Sequence, residues 1–327
     1  MNNNCHIDLL KTRSKEDLLD AIKNSSDYVK EDADIYGFLA DPAKHSLSPR
    51  MYNNAFRKLG INALYFSSTI PEECIREAIY RVRKFGIKGV NISMPHKESV
   101  VDELYEIHDM AELCEAVNTV VWENGDLKGY NTDWIGGIEA IKDLFLLTNG
   151  NSNNSGDEKQ FGEKRGSLGE TINQAAVLGL GGAGRAVITG LAKEGVKEIN
   201  IFVRKNRPFE YSKYLTKVCD AFPGVTIRLN ALSNQKELKS CISNSQLLVN
   251  ATNVGMGEME GESLIPDSSY LHSDLKVMDV IYAPEKTLLL RQAEEAGCAY
   301  INGLPMLLHQ GEEAFKLFTG IETKLYL

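Results

Sequence analysis

Three separated stretches in the first half of the chain gather small hydroxyls, carboxamides and an amine. They are His45-Ser46-Leu47-Ser48-Pro49, then Gly89-Val90-Asn91-Ile92-Ser93-Met94-Pro95-His96-Lys97, then Ala116-Val117-Asn118-Thr119-Val120 followed by Gly129-Tyr130-Asn131-Thr132-Asp133. Hydroxyls and carboxamides hold polar small molecules through directional hydrogen bonds, and an amine or carboxylate can hold or move a proton. Each stretch also has a plain structural reading. Ser48 can cap the helix that Pro49 begins, Lys97 can be a solvated charge after an apolar strand, and Asn131-Thr132-Asp133 can be an Asx-type turn before a helix.

A different chemistry is written in Val177-Leu178-Gly179-Leu180-Gly181-Gly182-Ala183-Gly184-Arg185-Ala186. Gly179, Gly181 and Gly184 make G-x-G-x-x-G between an apolar strand and a helical pattern. There the first glycine permits a tight turn, the second lets backbone approach a pyrophosphate, and the third allows close helix–sheet packing, while the helix N-terminus offers N–H groups to the anion. Gly179, Leu180, Gly181, Gly182, Ala183 and Gly184 are therefore the candidate dinucleotide loop. The end of the following strand selects the cofactor: an acid suits the 2′-hydroxyl of NAD, an arginine the 2′-phosphate of NADP. Arg204, Lys205, Asn206 and Arg207 stand there, with no acid before Glu210. This favours NADP, although an Arg204 that stacks on adenine would accept either cofactor.

The elements that position these groups alternate along the chain. The pattern predicts strands over 35–39, 64–67 and 89–92 and helices over 49–59, 72–85 and 134–146, an α/β unit with a largely parallel sheet. A second α/β series follows, with strands over 175–178, 199–203, 225–229, 247–250 and 277–281 and a helix over 185–194. Residues 1–30 read as an appended arm with one short helical pattern over 14–22. Residues 149–171, rich in Asn, Ser, Gly and charge, read as a polar surface insertion.

Composition narrows the classes. With 327 residues, 43% hydrophobic and 25% charged, the chain is an ordinary globular protein long enough for two domains. A net charge of -9 argues against nucleic acid as partner. The basic cluster Arg81-Val82-Arg83-Lys84 reads as a solvated helix face. No apolar run is long enough for a membrane span and the N-terminus does not read as a signal peptide, so a cytoplasmic protein is expected. The six scattered cysteines are expected to be reduced thiols, and no metal site is expected.

Taken in order, the motifs HSLSP, N-x-S-x-P-x-K, A-V-N-T, G-x-N-T-D and the nucleotide loop resemble the shikimate dehydrogenase family. The resemblance continues in Asn250-Ala251-Thr252-Asn253-Val254-Gly255-Met256, in Asp279-Val280-Ile281-Tyr282-Ala283-Pro284 and in 303–311, and covers residues 35–318 apart from the 149–171 insertion. It implies two α/β domains: an N-terminal substrate domain, 1–133 plus 303–327, and a Rossmann-type dinucleotide-binding domain, 134–302, with the active site in the cleft between them. Carried over by position, it makes Lys97 and Asp133 the catalytic pair. Ser46 and Ser48 would hold the substrate carboxylate, and Asn91, Ser93, Asn118, Tyr282 and Gln310 would surround the ring hydroxyls. Asn253, Val280 and Gly303 would join the nucleotide loop and Arg204, Lys205 and Asn206 in holding the cofactor.

The implied reaction is reversible NAD(P)-dependent hydride transfer between 3-dehydroshikimate and shikimate, in chorismate biosynthesis. Two features shade the resemblance. Val203-Arg204-Lys205 stands where the biosynthetic enzymes carry Asn-Arg-Thr, so the NADP clamp is incomplete. Ser93-Met94-Pro95-His96-Lys97 and Gln310-Gly311-Glu312 look more like the quinate/shikimate dehydrogenase branch, whose members can use NAD. A catabolic quinate dehydrogenase is the alternative enzyme. A non-catalytic NAD(P)-sensing module is a third reading, disfavoured because Lys97 and Asp133 are both present. The expected partners are small-molecule substrates, with the chain as a monomer or homodimer.

Overall fold

The structure, a computed structural model, describes residues 5–23, 30, 32–44, 46–149, 166–204 and 208–327. It divides into two compact units, Met1–Thr132 with Leu308–Leu327, and Asp133–Leu307. The boundaries expected from sequence fell at 133/134 and 302/303.

The first unit contains α1 (Lys15–Lys23), β1 (Asp34–Ala40), α2 (Ser48–Leu59), β2 (Ala63–Thr69), α3 (Ile75–Phe85), β3 (Gly89–Ile92), β4 (Glu106–Ile107), α4 (Asp109–Cys114), β5 (Thr119–Glu123) and β6 (Asp126–Tyr130). Its sheet has the order β2-β1-β3-β5-β6-β4. β1 runs parallel to β2 and β3, but β5 is antiparallel to both β3 and β6. The sheet is therefore mixed rather than largely parallel. The cause is local: Asn124 (φ 51°) and Gly125 (φ 91°) form a two-residue turn with both residues left-handed, and such a turn joins antiparallel strands.

The N-terminal residues correct the expectation of an appended arm. Cys5, Ile7, Leu9, Leu18 and Ile22 are buried in the same core as Ile35, Phe66 and Val90. Ile7 donates its N–H to Ser67 at 2.8 Å, Ser67 donates to Cys5 at 2.8 Å, and Leu9 donates to the Ser68 hydroxyl at 3.0 Å, so the segment lies along the open edge of β2. The basic cluster on α3 is also partnered. Arg81 pairs with Glu77 at 2.7 Å and donates to the Leu9 and Thr12 carbonyls, and Arg83 pairs with Asp126 at 2.8 Å.

The second unit contains α5 (Asp133–Asn149), β7 (Gln174–Leu178), α6 (Gly182–Lys193), β8 (Glu198–Val203), α7 (Pro208–Ala221), β9 (Thr226–Ala231), α8 (Gln235–Asn244), β10 (Leu247–Asn250), β11 (Lys276–Asp279), α9 (Leu288–Glu295), β12 (Ala299–Ile301) and the start of α10 (Leu304–Thr319). Its strands are all parallel, in the order β12-β11-β10-β7-β8-β9. That is a doubly wound Rossmann arrangement, whose strand order reverses between β7 and β10; in such sheets ligands bind beyond the carboxyl ends of the strands at this point. Residues 150–165 of the expected insertion lie outside the described residues. Its C-terminal part is docked rather than loose: Leu168 is buried, its N–H meets Glu194 Oε2 at 3.2 Å, and Gly169 donates to the Glu194 carbonyl at 2.9 Å.

From Leu308 onward α10 belongs to the first unit, where Phe315 and Phe318 pack with Tyr36, Tyr52, Phe56 and Tyr65. Tyr52 stacks on Tyr65 at 4.3 Å and donates its phenol hydrogen to the Gly311 carbonyl at 3.1 Å. This fixes the helical turn that carries Gln310.

Candidate active site

In the first unit the strand ends bring four of the motif residues into one buried polar network. Asn91 lies one residue from the end of β3, Thr119 opens β5 beside it, and Asn118 directly precedes β5. Thr132 follows β6. Asn91, Asn118, Thr119 and Thr132 are at most 5% exposed, so their polar atoms must satisfy one another. Tyr65 donates to Asn91 Oδ1 at 2.6 Å, and Asn91 Nδ2 donates to the Asn118 carbonyl at 3.2 Å and to Thr119 Oγ1 at 3.0 Å. Asn118 Oδ1 takes the Thr132 N–H at 2.7 Å and the Thr119 hydroxyl at 3.0 Å. Asn118 Nδ2 points to Thr132 Oγ1 at 3.0 Å and to Gln310 Oε1 at 3.4 Å. Gln310, which the resemblance placed at the ring hydroxyls, lies 192 positions from Asn118 on α10. Asn131, next to Thr132, is buried with its Nδ2 on the Ala116 carbonyl at 2.9 Å.

The turn after β3 carries Ser93 and Lys97, and backbone bonds pin it on two sides. Ser93 donates to the Leu39 carbonyl at 2.9 Å, and Val117 donates to the Lys97 carbonyl at 2.8 Å. His96, fully buried, bonds the Ile70 carbonyl through Nε2 at 2.7 Å. Lys97 itself is half-buried. At the start of α2, the helix cap position is Leu47, which caps without a side-chain bond. The hydroxyl of Ser46, rather than that of Ser48, accepts a backbone N–H there, from Ser48 at 3.2 Å. Ser48 is buried. Asp133 is the first residue of α5, in the second unit, and is 6% exposed.

In the second unit the glycine loop is tightly packed at two of its glycines and open at the third. Gly179 adopts φ +99°, and a Cβ there would lie 2.6 Å from Thr252 Cγ2. A Cβ on Gly184 would meet the Gly179 carbonyl at 2.5 Å, whereas one on Gly181 would meet nothing within 4 Å. So the turn and the helix–strand contact exclude side chains, and the middle glycine, the exposed N-cap of α6, keeps open space at the helix N-terminus. Leu180 is buried in the core and offers only its backbone. Gly182 and Ala183 form the first turn of α6.

Arg204 directly follows β8 and is exposed; Lys205 and Asn206 lie outside the described residues. Asn253 is exposed, Val280 donates to the Asn250 carbonyl at 3.0 Å, and Tyr282 is half-buried, burial raising its phenol above the ordinary range. Gly303 serves close packing: a Cβ there would lie 1.9 Å from the Val280 carbonyl oxygen.

Sequence reasoning missed a second network. Asp279, at the end of β11, takes Asn250 Nδ2 at 3.0 Å, the Ile281 N–H at 3.1 Å and the Thr287 hydroxyl at 2.7 Å. Asn250 Oδ1 in turn takes the Thr252 hydroxyl at 2.7 Å. This ties the loop bearing Asn253 to the loop bearing Tyr282. The signal was present in both motifs, as an amide and an acid at the ends of neighbouring strands. Thr287 had none. Among the described residues no cluster of His, Cys, Asp and Glu could hold a metal ion, and no helix is long and apolar enough to cross a membrane.

Comparison with known proteins agrees along the chain. A family model described as the shikimate dehydrogenase substrate binding domain matches residues 38–120, and one described as the shikimate 5'-dehydrogenase C-terminal domain matches 303–322. The chain is 39% identical over 288 residues to a shikimate dehydrogenase (NADP(+)) of Alkaliphilus metalliredigens, covering 88% of this chain and 91% of that one. Among solved structures, it resembles shikimate 5-dehydrogenase from Listeria monocytogenes in complex with shikimate and NAD, with a TM-score of 0.77 at 33% identity over 91% and 96% of the two chains. It also resembles quinate dehydrogenase from Corynebacterium glutamicum in complex with NAD, with a TM-score of 0.70 at 25% identity over 89% and 95%.

Proposed function

The chain belongs to the shikimate dehydrogenase family, and from that membership we propose that it interconverts 3-dehydroshikimate and shikimate with NADP as the preferred cofactor. The observation that carries the reading is the pairing of Asn118 with Gln310, two carboxamides brought together inside a polar network that the fold would not need for packing alone. When bound, the nicotinamide gives or takes the hydride. The protein's own residues hold the ring, orient the reacting carbon and move one proton.

Lys97 is the residue we assign to that proton, giving it to the ketone oxygen in reduction and taking it from the hydroxyl in oxidation. Its backbone is fixed by Val117, so the amine swings from a rigid base. Family membership supports Asp133 as the second member of the catalytic pair. Ser46 and Ser48 donate to the carboxylate, and Ser93, Asn118, Tyr282 and Gln310 serve the ring hydroxyls, which need partners that both donate and accept. Asn91 is better read as support. Its oxygen takes the Tyr65 hydroxyl and both its amide hydrogens go to Asn118 and Thr119, whereas the Asn118 amide nitrogen also reaches Gln310, at 3.4 Å.

For the cofactor, the glycine loop suits the pyrophosphate, with Asn253 and Val280 alongside it. Arg204 at the end of β8 suits a 2′-phosphate and supports NADP, as does the name of the Alkaliphilus relative. The likeness to a quinate dehydrogenase in complex with NAD supports quinate as a second substrate and NAD as a second cofactor. Initial rates for shikimate and quinate, each with NADP and NAD, test the reading. Shikimate with NADP is expected to give the highest kcat/KM. Faster turnover of quinate with NAD would make the protein a quinate dehydrogenase, and cofactor binding with no turnover of either substrate would make it a sensor.

A further inference from the structure

We infer that Thr119 is a positioning residue, whose hydroxyl fixes the direction in which the Asn118 carboxamide faces and, through Thr132, that of Gln310. The inference rests on the substrate-holding role proposed above for Asn118 and Gln310. Thr119 is fully buried at the start of β5.

The direction of each amide in the network follows from groups that have only one role. The Asn118 backbone carbonyl can only accept, so the atom of Asn91 that meets it at 3.2 Å is the amide nitrogen. Asn91 Oδ1 then faces the Tyr65 hydroxyl, and its nitrogen also donates to Thr119 Oγ1 at 3.0 Å. Thr119 has one hydroxyl hydrogen, which goes to Asn118 Oδ1 at 3.0 Å, the shorter of its two contacts beside Thr132 Oγ1 at 3.2 Å. The Thr132 N–H can only donate, and it meets the same oxygen at 2.7 Å. The two donors hold Asn118 Oδ1 inward, so Nδ2 is the end presented to Thr132 Oγ1 and Gln310 Oε1. Asn118 Nδ2, which can only donate, meets Gln310 Oε1 at 3.4 Å, and the Thr132 hydroxyl lies 3.3 Å from the same oxygen, so the oxygen of Gln310 is the end that faces the network. A relay that starts at Tyr65 therefore makes both carboxamides amine-forward.

Thr119→Val keeps the shape and removes the hydroxyl. One donor to Asn118 Oδ1 is lost and one Asn91 hydrogen loses its acceptor, so the Asn118 amide keeps only the Thr132 donors on its oxygen and is held less firmly. The expected result is a rise of about tenfold in the KM for shikimate, the order of one buried hydrogen bond, with a smaller change in kcat and the KM for the cofactor within about twofold. Thr119→Ser should restore the wild-type KM. In an Asn118→Ala background the effect of Thr119→Val should vanish, because residues acting through one another are not additive.

An unchanged shikimate KM in Thr119→Val, alongside a raised KM in Asn118→Ala, overturns the inference and leaves the functional reading standing. An unchanged KM in Asn118→Ala overturns the functional reading itself. A full effect of Thr119→Val in the Asn118→Ala background would assign the loss to general destabilisation and also overturn the inference. Should circular dichroism show that Thr119→Val does not fold, Thr132→Val, which removes the hydroxyl bridging the two carboxamides, carries the same test. A raised shikimate KM supports the relay and an unchanged one overturns it.

Discussion

Thr287 donates its hydroxyl to Asp279 Oδ2 across 2.7 Å, joining the end of β11 to the start of α9 inside the core of the second unit. Asp279 is wholly buried, and burial pushes its carboxyl up to about 6, against the pull of Thr287, Ile281 and Asn250, which favour the charged form. The folded protein therefore binds this proton more tightly than the unfolded chain, where an aspartate titrates near 3.8. The stability it contributes is fully present below about pH 4 and is lost as pH rises through about 6, a swing on the order of 3 kcal/mol. Asp279→Asn should remove that dependence. Urea unfolding of both proteins at pH 4 and pH 7 reads it: the difference in unfolding free energy should change between the two pH values. A constant difference would mean that Asp279 stays ionised in the fold.

The N-terminal segment is expected to behave as core. Leu9 is completely buried, and Leu9→Ala should cost about 2 to 5 kcal/mol, the range for truncating a buried leucine. An arm lying loosely on the surface would give a change near zero. Thermal unfolding should also stay a single transition for the first unit, because Leu9 shares its cluster with Phe66 and Val90.

What the sequence made legible follows from how local each signal is. In the second unit β7, β8, β10 and β11 were legible because parallel strands buried on both faces read as unbroken apolar runs, as in Leu247–Asn250, whereas β12 (Ala299–Ile301), three half-buried residues, was not. The glycine loop was legible because each glycine answers a separate steric demand. The β5–β6 hairpin was overlooked although Asn124-Gly125 is the strongest short signal for one. Its strands sit inside a motif read for chemistry, and that reading hid the turn. The docking of residues 5–9 and 166–171 was not legible, since a few apolar side chains among polar neighbours show no period. Their partners, Ser67 and Glu194, are far away in sequence. The pairing of Gln310 with Asn118 came only from resemblance, because nothing local to either residue points to the other.

Lys97→Ala should cut kcat by about 100-fold or more, the range for a positioned acid or base, while cofactor affinity stays within a few-fold. The turn should survive, because it is held by the backbone bonds of Ser93 and of Lys97 rather than by the amine. Rapid-mixing rates and cofactor titration on the same preparation separate the two effects. Turnover near that of the wild type would remove Lys97 from the reaction, and a large loss of cofactor affinity would make it a binding residue instead.

Cofactor choice turns on Arg204, exposed immediately after β8, where the adenosine ribose of a dinucleotide meets this fold. A guanidinium there meets a 2′-phosphate as a charged hydrogen-bond donor but gains much less from a 2′-hydroxyl. Arg204→Ala should therefore weaken NADP by about 10- to 100-fold, the worth of one hydrogen bond to a charged group, and weaken NAD far less. Asn206→Asp should act in the opposite sense, since a carboxylate accepts from the 2′-hydroxyl and repels the phosphate. Titration of both cofactors into both variants gives four affinities. Equal weakening of NADP and NAD by Arg204→Ala would mean that the guanidinium stacks on the adenine they share, and the preference for NADP would then lose its physical basis in this chain.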